Sequence, residues 1–427
     1  MKIMGRLELT VLFLLFSIWV AADGYDPLDP TGNITIQWDI VTWIDDYYEA
    51  VVSIYNFQQY RHVESPGWKL GWEWRGSEAI KEMIGAEATE QGDCSWFKGP
   101  LLPHCCEKMP EIVDLLPESP YHMRNANCCK GAVLSSMTQN PLQYKASFKM
   151  GIMKAPLHND TKLIIPKNFS IGLPGYTCGS PFTVAPTKYR GDGGRRWMQS
   201  FSTWEVTCTY SQRRAFRYPT CCVSLSVFYS ETIVECSRCS CGCQGVGTKC
   251  VNPGDSPPAL LFPHGDEVVP PVVSCTQHMC LIRVHWHVKQ NYMGYWRVKM
   301  TVTNLNFAKN YTSWNIVVQH PSLQGIVQVF NLQYRSLNPY DKTINDTGMF
   351  WGNPFYNDIL LQSGEDGNIQ AELLLKKDPG MFTFKDGWTF PRRLYFDGDE
   401  CVIPPPDRYP RIPVHHYSTG FSLYYIF

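Results

Sequence analysis

From Ile34 onward the chain repeatedly places apolar side chains at every second position, and that period limits the folds open to it. Ile34, Ile36, Trp38 and Ile40 alternate with Thr35, Gln37 and Asp39. Trp68, Leu70, Trp72 and Trp74 alternate with Lys69, Gly71 and Glu73. Ile282, Val284, Trp286 and Val288 alternate with Arg283, His285 and His287, and Trp296, Val298, Met300 and Val302 continue the pattern. Period two in β-branched and aromatic residues predicts strands with one buried face. Many short strands between Gly and Pro turns predict an all-β chain of tandem β-sandwiches. Only Ser77–Ala88 (SEAIKEMIGAEA) has the spacing of a short helix.

Two of these segments repeat one plan. ITIQWDI from Ile34 is followed by YEAVVSIYN ending at Asn56, then Trp68. IRVHWHV from Ile282 is followed by YWRVKMTVTN ending at Asn304, then Trp314. Trp38 to Asn56 and Trp286 to Asn304 both span 18 residues, which points to two related sandwiches. Gln244–Val273 is rich in Gly and Pro without periodicity and reads as a linker. The resulting plan is a leader over 1–22, an N-terminal sandwich over 23–165 and a cysteine-rich segment over 166–243. The linker over 244–273, a C-terminal sandwich over 274–405 and a tail over 406–427 complete it.

The leader has the form of a signal peptide. Lys2 and Arg6 precede an apolar run from Leu9 to Val20, and Val20-Ala21-Ala22 supplies small residues for cleavage. The run is shorter than the ~18–20 residues that span a bilayer. All 17 cysteines lie after it, as expected of a disulfide-bonded secreted protein. Sequons at Asn33, Asn159, Asn168, Asn310 and Asn345 predict a glycoprotein. Adjacent cysteines at 105–106, 128–129 and 221–222 are expected to bridge outward, because paired α-carbons lie about 4.4–6.8 Å apart. Cys236, Cys239, Cys241, Cys243 and Cys250 read as a disulfide knot, with zinc as the alternative.

Formal net charge is −1, with 18% charged residues, so nothing chain-wide invites nucleic acid. No phosphate loop, Gly-X-Ser-X-Gly elbow or zinc-protease helix motif is present, and no cofactor motif either. His285 and His287 share a strand face and either bind a metal together or face solvent opposite an apolar side. Aromatic residues, at 14%, carry the stronger hint. Trp68, Trp72 and Trp74 share a face with a spacing of roughly 6.6 Å. Rings so placed stack on successive sugar rings of a β-glucan; large aromatics equally build a sandwich core. If these three are core, Trp43, Tyr47 and Tyr48, read as loop aromatics, are the next candidates.

The chain resembles the COBRA family of plant cell-wall proteins over essentially its whole length after the leader. The residues that carry this are YDPLDPTGNITIQWD from Tyr25, the run from Asn56 to Trp74, EQGDCSWFKG from Glu90 and PHCCEK around Cys105. The Cys-Cys-Val-Ser block at Cys221–Ser224, a family hallmark, joins them. HMC-x-x-RVHWHVK from His278, YWRVK-x-TVTN from Tyr295, NDTGMFWG from Asn345 and FPRRLYFDGDEC before Val402 complete the set. The resemblance implies an extracellular glycoprotein, usually GPI-anchored at the outer face of the plasma membrane. It also implies an N-terminal region similar to cellulose-binding modules and a role in cellulose deposition and microfibril organisation, with no enzyme activity. A GPI signal needs a small-residue site, a polar spacer and a hydrophobic tail. Ser418 and Gly420 supply small residues, but only seven residues follow Gly420, so release into the wall is the alternative to anchoring. A β-glucan-remodelling enzyme and an adhesion or scaffold module are the competing functional readings.

Overall fold

The computed structural model of the chain describes residues 28–44, 47–154, 164–191, 195–215, 219–236, 280–305, 311–337, 346–355, 367–377 and 389–410, save 229, 293, 312 and 354. Outside these spans it describes Asp26, Cys250, Val251, Val273 and Ser274. The leader, the tail with Ser418 and Gly420, most of the linker, and Asn159, Asn310 and Asn345 lie outside the described residues. Among the described residues no helix is long and apolar enough to cross a membrane. The chain divides into two units, Met1–Arg217 and Tyr218–Phe427.

The first unit begins with β1 (Ile34–Ile44), β2 (Tyr47–Asn56), β3 (Lys69–Glu73), β4 (Glu78–Ile84), β5 (Ala86–Ala88) and β6 (Glu111–Asp114). There follow β7 (Lys145–Lys154), β8 (Lys167–Ser170), β9 (Tyr176–Cys178), β10 (Phe182–Val184), β11 (Lys188–Gly191), β12 (Arg196–Gln199) and β13 (Ser202–Tyr210). One sheet runs β10-β13-β1-β2-β7-β4, with β9 also on β13; a second runs β5-β6-β3-β8. The alternation of β1 and β2 sorts their side chains by face. Ile36, Trp38, Val52 and Ile54 point inward and are fully buried. Phe148 and Trp204 join them from β7 and β13, and Trp72 and Phe169 from the second sheet. Without β13, β1 would be a bare sheet edge with unpaired amides. This pairing, Trp38 opposite Trp204, draws β8 to β13 into the first unit. The segment expected to stand apart over 166–243 is therefore divided between the units.

The second unit contains β14 (Cys221–Val227), β15 (Ser230–Val234), β16 (Cys250–Val251), β17 (Val273–Ser274), β18 (Ile282–Asn291), β19 (Tyr295–Asn304) and β20 (Asn315–Gln319). It continues with β21 (Ile326–Phe330), β22 (Gln333–Leu337), β23 (Thr347–Trp351), β24 (Asn368–Lys376), β25 (Arg393–Phe396) and β26 (Asp399–Glu400). Its main sheet runs β15-β14-β18-β19-β24-β21, and a five-stranded sheet runs β22-β23-β20-β25-β26. Their shared core holds Trp286, Trp296, Trp314, Met300 and Phe350. The sequence repeat is a structural one. Ile34 faces Asn56 in the first hairpin and Ile282 faces Asn304 in the second. The register slips after Ile40 in one and after Val288 in the other. Asn56 and Asn304 are both fully buried. Asn56 earns its place by donating to the Arg61 and Ser135 carbonyls and accepting from Gln58.

Ser77–Ala88 is not a helix. It forms β4 and β5, separated by Gly85 at φ +88°. Ala79, Ile80 and Met83 are buried, and the segment finds its hydrogen bonds on β7. Tertiary pairing overrides a helical local spacing, as it does routinely. The adjacent-cysteine expectation holds at one pair. Cys221 bridges Cys401 and Cys222 bridges Cys236. Cys106 bridges Cys94, whereas Cys105 is a buried free thiol. Cys128 and Cys129 bridge each other, with α-carbons 3.8 Å apart. The backbone there is unusual enough to permit it: Asn127, Cys129, Gly131 and Ala132 all have positive φ. The Asp114 carboxylate holds that turn by accepting from the Cys129, Lys130 and Ala132 amides. The zinc alternative loses Cys236 to its disulfide; Cys239, Cys241 and Cys243 lie outside the described residues.

Candidate functional site

The three tryptophans expected to form a sugar platform are core. Trp68, Trp72 and Trp74 are 1%, 2% and 1% exposed. Trp72 lies edge-on to Trp38 at 5.1 Å and to Trp74 at 5.4 Å, and Trp68 stacks on Phe148 at 6.3 Å. A ring enclosed this way presents no face to a sugar. Tyr48 is also buried and stacks on half-buried Trp43 at 5.4 Å. Neither is on a loop: Trp43 is next to last in β1, opposite Tyr48 on β2.

Tyr47 is different. It starts the outward face of β2, which runs Tyr47, Glu49, Val51, Ser53, Tyr55. Its ring crosses β7 over Gly151, where an added Cβ would meet the Tyr47 hydroxyl oxygen at 2.5 Å and ring carbons at 2.6–2.8 Å. Glycine is thus the seat that lets this ring lie flat on the sheet. The Tyr47 hydroxyl donates to Glu82 at 2.7 Å, Glu49 lies 3.3 Å away, and the Lys81 ammonium sits 4.7 Å from the ring centroid. Burial and the two carboxylates push its phenol far up, so it stays a neutral donor at all ordinary pH.

Tyr55, at the other end of the same face, stacks on Phe57 at 5.4 Å with planes 4° apart. Tyr144 closes the group at 6.1 and 6.0 Å from the two rings. Lys145 donates to the Tyr55 hydroxyl at 2.9 Å. All three rings are half-exposed. Tyr47 and Tyr55 are eight positions apart on the strand, roughly 26 Å. Sequence reasoning missed this second group, although its parity with Tyr47 on β2 was visible; Phe57 and Tyr144 join it only through the fold.

Between the two aromatic ends the floor is polar. Val51 lies between Asp39 on β1 and Lys149 on β7, and Ser53 between Gln37 and Ser147. Lys149 pairs with Glu49 at 2.9 Å, and Thr42 donates to the same carboxylate. Burial raises Glu49, but these bonds outweigh it and hold it below the usual carboxylate range. Thr203 and Gln37 both bond Asp39, and Gln37 bonds Thr187 at 2.5 Å, which pins the segment leading into β11 beside the lane. On the opposite flank Ser147 bonds the Ala126 carbonyl at 2.6 Å and holds the Cys128–Cys129 loop. Asp39, Ser53 and Ser147 are themselves buried, so the lane offers two flat aromatic ends and, between them, the half-exposed Gln37, Thr42, Glu49, Val51 and Lys149.

A separate cleft of about 470 Å³ opens on the second sheet of this unit, lined by Glu73, Glu90, Glu107 and Glu111 with Thr89 and Asn168. Lys167 and Asn168 bond Glu73, and these bonds, Lys167 first, hold it below the usual range. A glycosidase pairs a protonated acid with an ionised base or nucleophile; Glu73, held low, suits the second role and not the first. Asn168 is exposed and bonded to Glu73 through the nitrogen a glycan would take. Asn33 is half-exposed and accepts from Thr35. His285 and His287 lie on the outward face of β18 and bond serines of β14 rather than converging on open space.

Family models match both units. The COBRA N-terminal domain matches residues 48–211, and the COBRA family C-terminal domain matches 220–410, on either side of the observed division. COBRA-like protein 1 of Oryza sativa subsp. japonica is 55% identical over 95% of this chain and 92% of its own length. Protein COBRA of Arabidopsis thaliana is 51% identical over 99% of this chain and 94% of its own. COBRA-like protein 6 of Arabidopsis thaliana is 53% identical over 95% and 89%.

Proposed function

The chain belongs to the COBRA family, and from that premise we propose that it is a non-catalytic extracellular cellulose-binding protein that organises glucan chains in the plant cell wall. Its contact surface is the outward lane of β2 and β7. The observation that carries this reading is the placement of Tyr47 and the Tyr55–Phe57–Tyr144 group on one strand face. Sugar rings of a β-1,4-glucan have apolar faces that stack on aromatic rings and equatorial hydroxyls that meet the Gln37, Lys149 and Glu49 groups. An extended polymer needs such a lane rather than a pocket. The secretory leader and the disulfides support an extracellular site of action, at the cell surface or free in the wall.

The test is sedimentation of the mature protein with crystalline and amorphous cellulose. Tyr47→Ala combined with Tyr55→Ala is expected to reduce binding at least tenfold while leaving the melting temperature close to wild type. Undiminished binding in that double variant would remove the lane as the site. Release of reducing ends from either cellulose would favour the enzyme reading.

A further inference from the structure

The Cys-Cys-Val-Ser block becomes intelligible as four positions of a strand. Cys221 and Val223 point inward to the core, while Cys222 and Ser224 point to the other side. β14 runs parallel to β18, which sets Ser224 beside His285 and Ser226 beside His287. Hydroxyl and imidazole then form one chain. Ser224 Oγ lies 2.6 Å from His285 Nδ1, Ser226 Oγ 2.8 Å from His285 Nε2, and Ser226 Oγ 2.7 Å from His287 Nδ1. Burial, with Lys299 and Lys289 nearby, holds His287 below the usual histidine range. Its imidazole is therefore neutral at pH 7.

Cations surround this strip on the same face. Arg283 precedes it on β18 and Lys289 follows; Arg297 and Lys299 flank it on β19, with Lys299 directly opposite His287. All four are half-exposed. Among the described residues the acids beside them are Glu372 on β24 and Glu235 near Arg283. Glu372 shows how the face takes a carboxylate: Lys289 bonds it at 2.5 Å and Arg297 lies 3.4 Å away, with Lys299 beside it in register. Three cations around one carboxylate leave charge to spare.

We propose that this outward face of the six-stranded sheet binds an acidic polysaccharide, a polymer of uronic-acid sugars. Two properties select that class. Arg297 and Lys299 stand roughly 6.6 Å apart on one strand face, with Lys289 beside the same Glu372 and Arg283 farther along β18, so the cations are spread to meet separated carboxylates on an extended polymer. Between them His287 offers sugar hydroxyls its Nε2, the one nitrogen of the two imidazoles that no serine takes, while the buried Ser224 and Ser226 hold both rings in place. The site is in the other unit from the cellulose lane and does not depend on it.

The experiment measures binding of the full mature chain to polygalacturonate, to the same polymer fully methyl-esterified, and to phosphatidylserine vesicles, with cellulose sedimentation as a parallel readout. Expected results are binding to the free acid, release by salt, and no binding to the ester. Arg297→Gln with Lys299→Gln should weaken it roughly tenfold, from a few-fold per exposed ion pair, with cellulose binding and melting temperature unchanged. Thr301→Glu, which adds a charge without removing a contact, should weaken it as well. Equal affinity for the ester, indifference to both variants, or binding to vesicles and not to polygalacturonate would each overturn the proposal.

Discussion

Replacing Trp72 by alanine separates core from contact surface. Trp72 is 2% exposed and its ring meets Trp38, Trp74 and Phe169 at 5.1, 5.4 and 6.5 Å. A buried indole removes about 150–250 Å² from water, or about 4–6 kcal/mol at ~25 cal/mol per Å². Measured truncations of large core aromatics cost about 3–5 kcal/mol. The expected loss is therefore about 4–5 kcal/mol in the first unit, most of what a domain holding about 5–15 kcal/mol can give up. Tyr47→Ala and Tyr55→Ala remove half-exposed rings and should each cost about 1 kcal/mol or less. Urea unfolding followed by tryptophan fluorescence measures stability, and sedimentation with cellulose at low urea measures binding by the folded fraction. Trp72→Ala should bind normally once corrected for the fraction folded. A Trp72→Ala protein with near wild-type stability and no cellulose binding would refute the argument, because its indole would then have to be a contact residue.

Gly151→Val should tilt the Tyr47 ring off the sheet and weaken cellulose binding several-fold, read by the same sedimentation assay; unchanged binding would mean the flat seat is irrelevant. Burial, with Asp26 adding to it, raises Asp29 to about 6, against the bond it accepts from Gln59. A raised carboxyl favours the protonated fold, so its contribution is complete below about 3.8 and lost as pH rises through about 6. That is about 3 kcal/mol across the window. Asp29→Asn should flatten this component of the pH–stability curve, and an unaltered curve would contradict it. Cys221 and Cys401 are 180 residues apart. Replacing both by serine should cost the second unit up to about 5 kcal/mol on the loop-entropy model, measured by denaturant unfolding without reductant; a loss under about 1 kcal/mol would sink that account.

Much of this fold was legible because period two is a local property of a strand. The strands of both hairpins, and the kinship between them, follow from Ile34–Asn56 and Ile282–Asn304 alone. Period two does not say which face is buried, and that is where the aromatic run misled: Trp72 and Glu73 alternate correctly, but the indole side turns inward. The helix expected at Ser77–Ala88 failed because strand pairing with β7 is not written in its own spacing. Cys128–Cys129 failed because the rule for adjacent cysteines assumes ordinary backbone, and this turn is held in the left-handed region by Asp114 from another strand. The Tyr55 group was half legible: Tyr55 shares its parity with Tyr47, but Tyr144 arrives from a distant part of the chain.

The two hairpins show how one scaffold can carry two surfaces. Their inward positions match in kind: Trp38 and Trp286, Val52 and Met300, Ile54 and Val302 are all buried. Their outward positions match in register but not in chemistry. Where the first hairpin has Gln37, Asp39, Glu49 and Val51, the second has His285, His287, Arg297 and Lys299. A core position is constrained by volume and apolarity, so it changes within narrow limits. An outward position on a sheet face is constrained by strand propensity and by the bonds and ring seats it supplies, as Asp39 and Gly151 do; where it supplies few of these, charge can change sign at little cost to stability. The first face keeps aromatic ends and balanced charge, which suits a neutral polymer; the second has gained cations around one carboxylate, which suits an acidic one. Charge-swapping Val51→Lys with Glu49→Arg should therefore leave the first unit folded while shifting its lane toward anionic polymers.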